Sequence, residues 1–96
     1  MKNYVFEIID KTGRRIRLTK KQWTHIMESH AYMHKYLEEV IETLRSPDKI
    51  IKLFKKGYYY KNYKYLNSPN RFVMVTVKYL NNHGFVITTY LTGMIR

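Results

Sequence analysis

The stretch "RFVMVTVKYLNNHGFVITTYLT", Arg71–Thr92, decides the fold. Apolar and polar residues alternate on both sides of "NNHG". Val73, Val75 and Val77 interleave with Phe72, Met74, Thr76 and Lys78, which divides the side chains between two faces of a strand. The spacing predicts strands over 71–79 and 85–92, joined antiparallel by Asn/Gly turn chemistry. His83 falls in that turn. A lone hairpin is marginal in water, so partner strands are needed. Upstream, "KIIKLF" (49–54) and "YYYKNYKYL" (58–66) have the same period, with Gly57 and "NSPN" as the links. Together these segments predict a four-stranded antiparallel meander.

Before Pro47 the period changes. Met33, Tyr36, Leu37, Val40, Ile41 and Leu44 recur at helical spacing, with Lys35, Glu38, Glu39 and Glu42 on the opposite face. "SPD" (46–48) ends this helix, because the residue before a proline is pushed out of the helical region. An earlier helix starts at Thr19, whose pairing with Gln22 forms a capping box. Trp23, Ile26 and Met27 are its apolar stripe. Before it, "YVFEII" (4–9) and "RIRL" (15–18) flank the turn "DKTG" as a hairpin. The expected architecture is α+β: an N-terminal β-hairpin, two helices, then the meander packed on the helices. Residues 1–96 make one domain.

Strand phase places Val73, Val75 and Val77 under the helices. In the last strand Phe85, Ile87, Thr89 and Leu91 form the apolar set. Val86, Thr88, Tyr90 and Thr92 form the other row, beside Lys78. A cation, hydroxyls and a phenol on one face suit a phosphodiester, although such a row is also an ordinary solvent face.

Charge is uneven. Residues 1–48 hold nine Lys/Arg and all seven acids; residues 49–96 hold nine Lys/Arg and no acid. That second half is rich in tyrosine. Cations neutralise phosphates and rings stack on bases, so a polyanion is the expected partner. No apolar run reaches the ~18–20 residues that span a bilayer, and the first residues lack signal-peptide character, so a soluble cytoplasmic protein is expected. The chain has no cysteine.

These residues exclude several chemistries. Scattered acids cannot clamp the hard cations of a two-metal nuclease. No HExxH, phosphate loop or nucleophilic serine motif occurs. His25, His30 and His34 lack a cysteine or a nearby carboxylate ligand, so neither a metal nor a cofactor is expected. RNA can be cleaved without metal, by attack of its own 2′-hydroxyl on phosphorus. Histidine suits the proton transfers and Lys or Arg the developing charge.

"LTKKQWTHIMESH", "RSPDKI", "YYYKNYK", "FVMVTVKY" and "VITTYL" together resemble the phage-type nuclease domains of the barnase–EndoU–colicin E5/D–RelE-like (BECR) superfamily. Their shared pattern is a W-x-H-I-x-x-x-H helix, a P-D-x-I turn, a basic–tyrosine strand and a late hydrophobic-T-x-Y strand. The resemblance spans residues 15–92. It implies a metal-independent, toxin-like endoribonuclease, with RNA such as tRNA as substrate and an acidic antitoxin or immunity protein as restraint. It assigns catalysis to His25, His30, Lys61, Thr88 and Tyr90. The basic–aromatic residues Lys64, Arg71, Lys78, Tyr59 and Tyr63 are candidates for holding RNA. Where that family follows its second histidine with Pro-Glu, this chain has Ala31-Tyr32, so the helix either continues past His30 or bends differently. The alternative is a non-catalytic nucleic-acid-binding or protein-interaction module of the same fold, such as a viral or mobile-element accessory protein.

Overall fold

A computed structural model of the chain describes residues 3–66 and 69–95. Strands β1 (Tyr4–Ile9) and β2 (Arg15–Thr19) form the expected hairpin. Helix α1 (Lys20–Ser29) follows, capped by the Thr19 hydroxyl, which accepts from the Gln22 N–H at 3.0 Å. A 3₁₀ segment (Ala31–Tyr36) leads into α2 (Leu37–Arg45). Strands β3 (Lys49–Leu53), β4 (Lys56–Asn62), β5 (Phe72–Leu80) and β6 (His83–Thr92) complete the chain.

In place of the expected four-stranded sheet, the antiparallel run β3-β4-β5-β6 is part of a larger mixed one. β2 pairs in parallel with β6, through Arg15–His83, Ile16–Gly84 and Arg17–Phe85. The hairpin thereby joins the meander in one mixed six-stranded sheet, ordered β1-β2-β6-β5-β4-β3. A four-residue "RIRL" gives no local sign of this pairing, which closes only after both helices have returned the chain.

Three boundaries move. Gly57 lies inside β4, and the tight turn is Phe54-Lys55. A Cβ at Gly57 would sit 2.0 Å from the Tyr79 hydroxyl, so the glycine makes room for a ring rather than a turn. The β5–β6 turn is Asn81-Asn82, with Asn81 at positive φ, and His83 begins β6. β4 stops at Asn62. Tyr63–Leu66 then turns over α2, with the Leu66 N–H donating to the Tyr63 carbonyl at 3.0 Å. Of the expected "NSPN" link, Asn67 and Ser68 lie outside the described residues.

Both helices lie on one face of the sheet. Ile26, Met33, Val40 and Leu44 pack against Ile16, Leu18, Val73, Val75, Val77 and Val86. The valine row of β5 is where strand phase put it. A β-bulge between Thr76 and Val77 changes the phase of β6, however. Val86 turns into the core at 2 % exposure, and Phe85 turns outward to pair with Lys78.

The β1–β2 turn is anchored from inside. Asp10 is buried and accepts from the Thr12 N–H at 3.0 Å, the Thr12 hydroxyl at 2.8 Å and the Arg14 N–H at 2.9 Å. Its other oxygen accepts from the Tyr59 hydroxyl, which lies 2.7 Å from that of Tyr79. Tyr59 is fully enclosed, so it is not an RNA contact. Tyr63 is buried too, its hydroxyl donating to Glu42 at 2.8 Å. Strand phase points Tyr59 beneath the helices, and Tyr63, just past the end of β4, reaches α2 from the turn.

Burial, followed by hydrogen bonding to Asp10, holds the Tyr59 phenol in its neutral form well above the usual tyrosine range. Burial likewise raises Tyr63 and Tyr79. An acid with a raised folded pKa stabilises the fold fully below its unfolded value of about 10 and loses that contribution as pH rises further. The expected result is constant tyrosine-linked stability up to about pH 10 and a decline above it. Tyr59→Phe should flatten the decline. If phenolate absorbance rises to completion while the tertiary circular dichroism signal stays native, these rings are not enclosed as described.

Candidate nucleic-acid interface and active site

The sheet face away from the helices can be mapped row by row, because antiparallel partners share a face. One row runs Lys49, Tyr60, Met74, Tyr90. The next runs Ile51, Tyr58, Thr76, Thr88. The third runs Leu53, Lys56, Lys78, Phe85, Arg17, and ends at Glu7 on β1. Tyr60, Met74 and Thr76 form a shielded floor, whereas Lys56 and Lys78 are exposed. Acids are sparse here: Glu7 lies at the far edge, ion-paired to Arg17 at 2.5 Å.

His30 reaches this face around the edge of β6. β2 pairs only with His83–Phe85, so from Ile87 onward β6 is paired with β5 alone and its other edge has no strand neighbour. Side chains occupy that edge instead. Gln22 Nε2 donates to the Ile87 carbonyl, and the Leu91 N–H donates to the Tyr32 hydroxyl at 3.4 Å. α1 ends at His30, which takes φ −137° and ψ 59° and donates its N–H to the Ile26 carbonyl. The helix therefore does not continue past His30, and a 3₁₀ turn follows. The His30 ring lies 5.3 Å from the Tyr90 ring and 5.9 Å from that of Tyr32. No hydrogen bond engages the imidazole nitrogens among the described residues, so the edge-on and tilted contacts with Tyr32 and Tyr90 flank the ring and leave its proton-transfer atoms free for a ligand.

The other candidates separate. His25 is turned to solvent, its side chain 71 % exposed, with Nδ1 3.4 Å from Glu28. The helical spacing that puts Trp23, Ile26 and Met27 inward turns His25 away from the sheet, so it does not join His30. Lys61 pairs with Val73 and thus lies on the helix side, where Nζ donates to the Ser46 carbonyl at 2.8 Å. It does not meet Tyr90. Lys64 and Arg71 are exposed in the connection between β4 and β5. Thr88 shares the face and the strand of Tyr90. Lys78 shares the face but lies four residues from Met74, the partner of Tyr90, or about 13 Å along the strand at roughly 3.3 Å per residue. His25, His30 and His34 do not converge, and the described residues contain no group of three or more His, Asp or Glu side chains able to hold a metal ion.

Two hollows flank the face. Beside Tyr90 lies one of about 420 Å³, walled by Tyr60, Asn70, Thr92 and Met94 and without a charged residue. At the opposite end one of about 350 Å³ is walled by Arg15, Arg17, Asn82 and His83. Arg15, Arg17 and Phe85 were not among the candidate contacts. The arginines read as the solvent side of a hairpin until the parallel pairing carries them to β6, and Phe85 reads as core until the bulge turns it out. No helix of the described residues is long and apolar enough to cross a membrane.

No family model matches this chain, and no curated protein or solved structure matches it significantly.

Proposed function

We propose that the protein is a metal-independent endoribonuclease that lays single-stranded RNA across the open sheet face and cleaves it beside His30 and Tyr90. The observation that carries this reading is their ring contact at the end of a basic–aromatic face, with the histidine nitrogens unengaged. His30 accepts the 2′-hydroxyl proton as the 2′-oxygen bonds to phosphorus. The P–O5′ bond breaks, and Tyr90 donates a proton to the departing 5′-oxygen. The Thr88 hydroxyl donates to a phosphoryl oxygen. Lys56, Lys78 and Arg17 hold the flanking backbone. The products are a 2′,3′-cyclic phosphate and a 5′-hydroxyl. Purified protein incubated with tRNA and total RNA in EDTA tests this, with the product ends analysed. Uncut RNA, or ends of another kind, sinks the proposal.

The second reading, an RNA-binding module without cleavage, is favoured by one observation: the hollow beside Tyr90 has no charged wall. RNA that binds tightly but survives would select it. Either reading makes binding steep in salt, with a log–log slope near −0.7 for each phosphate neutralised on a single strand. Lys78→Ala is expected to reduce that slope by about 0.7. Lys61→Ala should leave it unchanged, since Lys61 faces the helices. Equal effects of the two substitutions would contradict the mapped face.

A further inference from the structure

We propose that the Leu53-Phe54 tip of the β3–β4 hairpin is a base-stacking element for unpaired RNA, an inference that rests on the RNA-binding face just described and adds to it the requirement for a single strand. Phe54 is the first residue of a two-residue turn and takes φ 56°. Glycine, asparagine or aspartate is the usual occupant of such a position, because a side chain at positive φ is strained. The Phe54 ring is wholly exposed and Leu53 is 55 % exposed, so burial in this chain does not offset that strain. Strain and exposure of an aromatic coincide where a ligand can repay both.

The surroundings identify the ligand. Lys52, Lys55 and Lys56 are exposed around the tip, which suits a polyanion. Leu53 opens the cross-sheet row that continues through Lys56, Lys78, Phe85 and Arg17. At about 4.8 Å per strand, Phe85 lies roughly 14 Å from Leu53 with Lys56 and Lys78 between them, and Arg17 follows one strand further. Cations track the backbone and rings stack on bases, as in single-strand binding generally. A duplex keeps its bases stacked on one another and offers Phe54 no face. An anionic membrane would also attract a basic apolar tip, but it would not explain the alignment with the sheet row.

Phe54→Gly separates these roles. Binding is measured by fluorescence anisotropy with an unstructured 2′-O-methyl RNA, which cannot be cut by 2′-hydroxyl attack, and with a duplex of the same sequence. The variant should keep or raise Tm, because it relieves the positive φ and loses no buried contact. Its affinity for the single strand should fall by about 5- to 150-fold, the range for loss of one stacked base. Duplex binding should not change. If wild type binds the single strand and Phe54→Gly binds it equally, this inference is overturned and the functional proposal stands. If wild type binds no RNA, both fall. If phosphatidylserine vesicles bind wild type but not the variant, while RNA binding is unchanged, the tip is a membrane element and the inference is overturned.

Discussion

His30→Ala is expected to lower the rate of RNA cleavage by about 10²- to 10⁴-fold, the usual contribution of a positioned acid or base. The size follows from its isolation: no second histidine stands close enough to replace it, since His25 faces solvent beside Glu28. His25→Ala should therefore cut at a near wild-type rate. Tyr90→Phe keeps the ring against His30 but removes the hydroxyl, and its loss should fall in the same range. Helix α1 ends at His30 through a backbone hydrogen bond, which alanine preserves. The His30→Ala protein should accordingly melt close to wild type and still bind RNA. Loss of cleavage with His25→Ala and retention with His30→Ala would reverse the assignment.

The second large effect concerns stability. Asp10→Ala is expected to cost about 2–4 kcal/mol, as a buried acceptor whose removal leaves several donors unpaired. Those donors are the Thr12 and Arg14 N–H groups in the turn and the Tyr59 hydroxyl in the core. For a chain of this length that is a large part of a total near 5–14 kcal/mol. Tyr59→Phe should cost about 1–3 kcal/mol, by leaving one Asp10 oxygen without its donor. The two changes remove one shared interaction, so the double variant should cost less than their sum. Urea unfolding measures all three. A loss under about 0.5 kcal/mol for Asp10→Ala, the level of an ordinary surface change, would show that the turn is not anchored through this carboxylate.

Local signals were legible in the sequence where the physics is local. The Thr19 cap, the period-two valines of β5 and the proline stop at Pro47 depend on neighbouring residues, and each appears in the structure. The second helix is only partly so. Met33 and Tyr36 have helical spacing but lie in a 3₁₀ segment, because the chain breaks at His30 and must turn back over the sheet. The misplacements arise from non-local geometry. Parallel pairing of β2 with β6 joins residues about seventy positions apart and leaves no mark on "RIRL". The bulge near Ile87 exchanges the faces of Phe85 and Val86, and strict alternation cannot foresee it.

The same distinction governs the site. Strand phase puts Tyr90, Thr88 and Lys78 on one face, and the pairing of β5 with β6 does the same, because they lie on either side of one hairpin. Lys61 and Tyr59 have the right chemistry for RNA but the opposite phase, Tyr63 lies past the end of β4, and the structure gives the three Ser46, Asp10 and Glu42 as partners. The contribution of His30 depends on the end of α1, the 3₁₀ turn and the unpaired edge of β6 together.

The most direct test of this account is amide and side-chain NMR of the ¹⁵N,¹³C-labelled protein titrated with an uncleavable single-stranded RNA. The expected perturbations fall on His30, Thr88, Tyr90, Lys56, Lys78, Phe85 and Arg17, with α2 and Lys61 unmoved. Perturbations confined to α2 and the helix side, or none at saturating RNA, would contradict it.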